Sequence, residues 1–212
     1  KPYKSSGGKM VYSKQLKREI PEGWEVKELG EIVETNNDSI NPELNLDISF
    51  RYYSIPVFDE KGTYEVTKGE AIKSNKFIVE DTDILVSKLN PWFSRVIFAL
   101  KESDQICSTE FVVWRTANTN IKTYLYLLAK SEHFISYCIQ SATGTSNSHK
   151  RVNPTVMMRY KLPFDLRIAE KYGEIINSIV NIYTLNQKQN QQLSALRDWL
   201  LPMLMNGQVK VE

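Results

Sequence analysis

Between Ile168 and Leu200, residues of one stripe recur at alternating steps of four and three. They are Ile168, Tyr172, Ile175, Ile179 and Ile182, then Asn186 and Gln189, then Leu193, Leu196 and Leu200. No proline interrupts the run before Pro202. This is the period of a coiled-coil seam, which keeps one stripe on one side of a helix. A helix over these about 33 residues is roughly 50 Å long at about 1.5 Å per residue. A lone helix cannot cover its own stripe, and the chain offers no second seam of that length. The stripe therefore predicts a partner helix, with Ile175, Ile179, Ile182, Asn186, Gln189, Leu193, Leu196 and Leu200 at the pairing interface. Polar residues at seam positions cost stability and fix register, the purpose expected of Asn186 and Gln189. The competing reading folds the stripe back onto its own domain as core, although many of its residues lie far along the rod.

A chain of 212 residues holds one large domain with an appendage, or two small domains. With 42% hydrophobic and 25% charged residues, the composition is globular. No apolar run approaches the roughly 18–20 residues that span a bilayer, and no signal peptide pattern opens the sequence. The expectation is a cytoplasmic protein without a membrane partner. Cys107 and Cys138, far apart, read as buried thiols in a reducing compartment. A net charge of +2 names no polyanion. Its distribution says more: the first eighteen residues carry six cations and no acid, and 142–164 carries Lys150, Arg151, Arg159 and Lys161 and no acid. Such local basic surfaces suit phosphate, or are simply solvated charged faces.

The pattern along the chain predicts a basic N-terminal arm over 1–19, a folded domain over 20–165, a long helical region over 166–205 and a tail over 206–212. Val26, Leu29 and Ile32 stand at helical spacing. From Asp47 to Arg115 short aromatic and β-branched runs between turn residues predict a curved, mixed sheet, with Phe50 to Phe58 extended around Pro56. Asn118 to Ser141 switches to helical period, with a break near Lys130 to His133. Asn153-Pro154 starts a short helix, Lys161-Leu162-Pro163 is extended, Asp165 caps the rod, and Pro202 with Asn206-Gly207 closes it. The fold class is α/β (α+β): a mixed, curved sheet flanked by helices, followed by one long coiled-coil helix.

Catalytic signatures are mostly absent. His133 and His149 lack companions at metal spacing, and neither a phosphate-cradling GxxxxGK[ST] nor a G-x-G-x-x-G is present. No metal and no cofactor are expected. Asp59-Glu60-Lys61 and Glu25-Val26-Lys27 contain the acid-x-Lys fragment of some nucleases, without the upstream acid. Asn90-Pro91-Trp92-Phe93 is similar to the Asn-Pro-Pro-aromatic loop of adenine methyltransferases but lacks the second proline; a turn with Trp92 packed down explains it as well. Two polar, basic loops remain, with Arg51-Tyr52-Tyr53 a weaker third candidate because tyrosines in a strand are more often core or sheet surface. Gly144 to Arg151 sets Thr145, Ser146, Asn147, Ser148 and His149 beside Lys150 and Arg151, next to a helix start of the kind that favours phosphate. Ser87 to Arg95 sets Asn90, Trp92 and Ser94 between Lys88 and Arg95. Arg and Lys suit guanine or phosphate, Asn suits adenine, and Ser and Thr suit either. An ordinary flexible polar loop is the competing reading for each.

Four ordered segments carry a family resemblance. Ile20-Pro21-Glu22-Gly23-Trp24-Glu25-Val26-Lys27-Glu28-Leu29-Gly30 resembles the opening of a target recognition domain in the specificity subunit of type I restriction-modification enzymes. The basic arm resembles the segment before the second such domain. Gly144-Thr145-Ser146, His149 to Pro154 and Leu162-Pro163 resemble the domain's end, and Leu200 to Gly207 resembles the close of the helical conserved region. The resemblance implies two recognition domains per full subunit, each reading half of a bipartite DNA site, held apart by two long antiparallel helices. It implies no catalysis by the subunit itself. Methyl transfer to adenine belongs to modification subunits, and translocation and cleavage belong to restriction subunits. One recognition domain and one long helix make this chain either a half-subunit, pairing with a second copy, or the C-terminal half of a longer one. On this reading Asn90, Ser94, Asn147 and Ser148 read bases, while Lys88, Arg95, Lys150 and Arg151 hold phosphates. The alternatives are a coiled-coil assembly or scaffold protein whose α/β domain binds protein, and a recognition domain detached from an adenine methyltransferase.

Overall fold

In the computed structural model, which describes residues 7–144 and 149–208, the chain opens on a hairpin of β1 (Met10–Ser13) and β2 (Arg18–Pro21). Then come β3 (Glu25–Glu28), β4 (Glu34–Asn36), β5 (Ser39–Ile40), β6 (Ser49–Tyr53) and helix α1 (Ile55–Lys61). Strands β7 (Glu65–Lys68), β8 (Lys76–Ile78), β9 (Asp83–Ser87), β10 (Val96–Phe98), β11 (Gln105–Cys107) and β12 (Phe111–Arg115) follow. Helices α2 (Thr119–Ala129), α3 (Glu132–Ser141) and α4 (Pro154–Met158), strand β13 (Lys161–Phe164) and the rod α5 (Leu166–Met205) complete the chain.

The apolar runs in the middle of the sequence become strands buried on both faces. An antiparallel sheet in the order β10-β9-β12-β4 lies between helices and a five-stranded sheet, β5-β8-β11-β6-β7, in which only β11 and β6 pair in parallel. Side chains alternate along a strand. Ile84, Val86, Val96, Phe98, Val112 and Trp114 therefore join the helices in one core, while Leu85, Ile97, Phe111 and Val113 meet Tyr53, Val79 and Cys107 in another. The expected curved, mixed sheet is thus two stacked sheets. Strand β13 pairs with β3, so the rod leaves the domain beside the strand that opens it.

Four local expectations change. Val26, Leu29 and Ile32 are not helical: β3 pairing leads into a 3-10 turn at Leu29–Glu31, and Leu29 N–H bonds Tyr160 O at 2.9 Å. Phe50 to Phe58 is not one extended run. Ser54 caps α1, accepting from Val57 N–H at 3.3 Å, with Pro56 in its first turn and Gly62 closing it at φ 70°. Part of the basic arm is hairpin, with Met10 opposite Pro21. The break near Lys130 appears as the Ser131 cap of α3, and Asp165 caps the rod, accepting from Ile168 N–H at 3.1 Å. Pro202 lies inside α5 rather than after it; Gly207, at φ 68°, ends the helix.

Helix α5 does return to its domain, but through a different stripe. Ala169, Gly173 and Val180 are buried against α2, while Ile168, Tyr172, Ile175, Ile179, Ile182, Leu193 and Leu196 remain exposed. Asn186 and Gln189 are exposed as well, and Leu200 is half-buried. Polar ties extend the joint along the rod. Asn118 donates to Glu170 at 2.7 Å, Thr123 to Asn177 at 3.1 Å and Gln191 to Tyr64 O at 2.6 Å, and Lys188 pairs with Glu102. Among the described residues no helix is long and apolar enough to cross a membrane.

A buried lysine locks α2 to the central sheet. Lys122 donates to Asp81 O and Ala99 O, both at 2.6 Å, over the Phe98 ring. Burial pushes its amine from 10.5 down to about 8. Because the unfolded chain then binds the extra proton more tightly, Lys122 weakens the fold below pH 8 and this cost fades as pH rises toward 10.5. The stability difference between wild type and Lys122→Met should therefore shift in favour of wild type across pH 8–10.5. Urea unfolding at several pH values measures this, and a difference flat in pH would refute it.

Candidate nucleic-acid interface

Residues 88–95 connect β9 to β10, and 149–152 precede α4, so about sixty positions separate them. The fold joins them. Asn90 N–H donates to Lys150 O at 2.7 Å, Lys150 N–H to Asn90 Oδ1 at 3.1 Å, and Val152 N–H to Lys88 O at 2.9 Å. Leu89 stands opposite Arg151, and Thr143 and Arg151 exchange two backbone bonds at 2.9 and 2.8 Å, which pinch the base of the second loop. Gly144 is required there, because a Cβ would come within 2.7 Å of His149 O.

The tip of the first loop is a 3-10 turn, Pro91–Phe93, between two residues in the left-handed region, Asn90 at φ 49° and Ser94 at φ 48°. Outside glycine that conformation costs on the order of 1 kcal/mol each. Pro91 is buried beside Phe134, Ile135 and Cys138, whereas Trp92 is 39% and Phe93 57% exposed. The backbone therefore spends strain to hold two aromatic rings in solvent.

The expected site residues take different parts. Lys88 and Lys150 are half-buried, and among the described residues neither forms an ion pair. Arg151 is exposed and doubly bonded to Glu110, at 2.9 and 3.1 Å, which holds its guanidinium pKa further up. His149 is exposed. Arg95 corrects the expectation of a phosphate contact: its guanidinium is only 7% exposed and grips Asp59 at 2.6 and 2.7 Å, making it a strut under the loop. Asn90 has a structural part as well: its Oδ1 accepts from Lys150 N–H and so helps join the two loops. Ser94 caps the turn, half-buried. Thr145, Ser146, Asn147 and Ser148 lie outside the described residues. Helix α4, five residues long, sums few peptide dipoles and adds little for a phosphate.

Sequence reasoning missed Phe93, Asp59 and Glu110. The signal for Phe93 was its place beside Trp92 between two cations; nothing local marks the two acids, whose partners are far along the chain. Among the described residues no group of three or more His, Cys, Asp or Glu side chains could hold a metal.

Over residues 21–195 the sequence matches the family described as Type I restriction modification DNA specificity domain. The chain belongs to that family. Two curated members have similar sequences: the MjaIX specificity subunit of Methanocaldococcus jannaschii, 26% identical over all of this chain and 50% of its own length, and the EcoEI specificity subunit of Escherichia coli, 29% identical over 84% of this chain and 31% of its own length. The chain thus spans half or less of these relatives. Among solved structures, the HsdS subunit of Thermoanaerobacter tengcongensis superimposes with TM-score 0.58 at 21% identity, covering 86% of this chain and 49% of that one. A chain from a structure of type I R-M system assembly gives TM-score 0.63 at 19% identity, covering 91% and 51%. The specificity-domain fold, sheets and long C-terminal helix together, is therefore shared with these structures.

Proposed function

We propose that this chain is the sequence-reading, non-catalytic part of a cytoplasmic type I restriction-modification complex, contacting one half of a bipartite double-stranded DNA site. The observation that carries this reading is the joining of the Lys88 and Lys150 loops by the Asn90–Lys150 hydrogen bonds into one basic, aromatic tip. Lys88, Lys150 and Arg151 hold phosphates, while Thr145 to Ser148, His149 and the aromatic tip approach base edges. The exposed α5 seam pairs with a second specificity half, either another copy or the remainder of a longer chain. Modification and restriction subunits assemble around the pair and supply methyl transfer, translocation and cleavage.

A gel shift with random-sequence duplex DNA, with and without modification subunits, tests DNA binding directly. Changing Lys88 and Lys150 together to glutamine should weaken binding to all sequences alike and flatten the salt dependence by about one unit per lysine. Unchanged affinity in the assembled complex would overturn the mapping. Binding of a protein partner without any DNA shift would favour the scaffold alternative.

A further inference from the structure

The aromatic tip has a geometry more specific than an exposed apolar patch. The Arg95 guanidinium carbon lies 4.3 Å from the Phe93 ring centroid, and Asp59 holds that guanidinium in place. Trp92 flanks the ring at 6.0 Å between centroids, tilted by 46°. One face of Phe93 is thus covered by a fixed cation, its side is lined by Trp92, and more than half of the residue is open to solvent.

This arrangement decides between two ways in which an aromatic residue meets DNA. A wedge slides between base steps from the minor groove and unstacks them, a fit best served by a ring free to enter; the Arg95 guanidinium, held by Asp59, covers one face of Phe93 and ties it down. An apolar contact with a single group on a base edge needs only one open side. In the major groove that group is the C5-methyl of thymine, the one apolar feature distinguishing T·A from the other pairs. Lys88 and Lys150 beside the tip favour a polyanion over an apolar protein groove.

We propose that Phe93 is a specificity-determining residue that packs against a thymine methyl group in the major groove, making one position of the half-site T-selective. Arg95 and Asp59 are positioning residues that set the ring's height and tilt. The proposal rests on the DNA-reading function above.

The test starts by enriching sequences from a random duplex pool on the chain assembled with modification subunits. Each thymine of the enriched site is then replaced, one at a time, by deoxyuridine, which lacks only the methyl. At one position deoxyuridine should weaken binding about fourfold, the loss expected for one buried methyl. Phe93→Ser should bind the thymine and deoxyuridine sites equally, and Phe93→Leu, still apolar, should keep a difference. Comparable melting of the three proteins excludes misfolding as the cause. Asp59→Asn, which loosens the strut without touching DNA, should shrink the thymine preference while leaving the salt slope unchanged. Failure to enrich any sequence overturns the DNA-reading function and this inference with it. Enrichment with no position sensitive to deoxyuridine, or with a penalty that survives Phe93→Ser, overturns the inference alone.

Discussion

Replacing Gly173 by alanine is expected to destabilise the protein by about 2 kcal/mol or more, although alanine favours a free helix over glycine by about 1 kcal/mol. The two effects have opposite signs, and packing decides between them. A Cβ at Gly173 would stand 2.0 Å from the backbone oxygen of Asn120 and 2.6 Å from its carbonyl carbon. Those are backbone atoms at the start of α2, fixed by the Asn118 cap, and they cannot turn aside as a side-chain tip would. Relief requires α5 to lift from α2, which exposes Ala169 and Val180 and stretches the Asn118–Glu170 and Thr123–Asn177 bonds. Overpacking costs typically about 1–3 kcal/mol and sometimes more; here the upper end must be met before the helix-propensity gain is subtracted. For a chain of this size the melting temperature should fall by roughly 4–8 °C. Ser178→Ala, on an exposed part of the same helix, supplies the control and should be neutral or slightly stabilising. A Gly173→Ala protein as stable as wild type would mean that α5 and α2 do not meet as closely as described.

The seam carries the other large effect. Ile179 and Ile182 are each 59% exposed and belong to none of the buried core clusters. Changing both to glutamate should leave the melting of the unpaired chain nearly unchanged while weakening helix pairing at least about a hundredfold, since burying each isoleucine contributes about 1.5–3 kcal/mol and a charge in a seam adds a desolvation cost. Sedimentation of the wild-type and doubly substituted chains reads this out. Association that survives both glutamates would remove the seam as the pairing surface.

The two variants separate two faces of one helix that share a sequence but not a purpose. The exposed stripe was legible because its large apolar residues recur at steps of four and three. The docking face was not. Ala169, Gly173 and Val180 are small or few, and their spacing implies a partner only once Asn120 is known to lie opposite. The same contrast holds at the candidate interface. Loop composition singled out residues 88–95 and 144–151, yet their mutual bonding depends on Val152 meeting the Lys88 carbonyl across about sixty residues. Arg95 looked like a DNA contact because its side chain suits that chemistry; Asp59 occupies it instead. A residue type states what a side chain is able to bind, whereas its surroundings decide whether that capacity is already used.

By itself, then, the sequence determined the elements whose signals are local: the strand runs of the sheet core, the helical period from Asn118 to Ser141 with its break near Lys130, the Asp165 start of the rod, and the apolar stripe along it. These depend on periodicity and on hydrogen bonds within four residues. Only the tertiary structure decided which rod face meets the domain, that the sheet divides into two layers, and that a buried Arg95, paired with an exposed Asp59, underlies an exposed aromatic tip. Those outcomes depend on contacts between residues distant in the chain, and no local pattern encodes which distant groups will come within hydrogen-bonding reach.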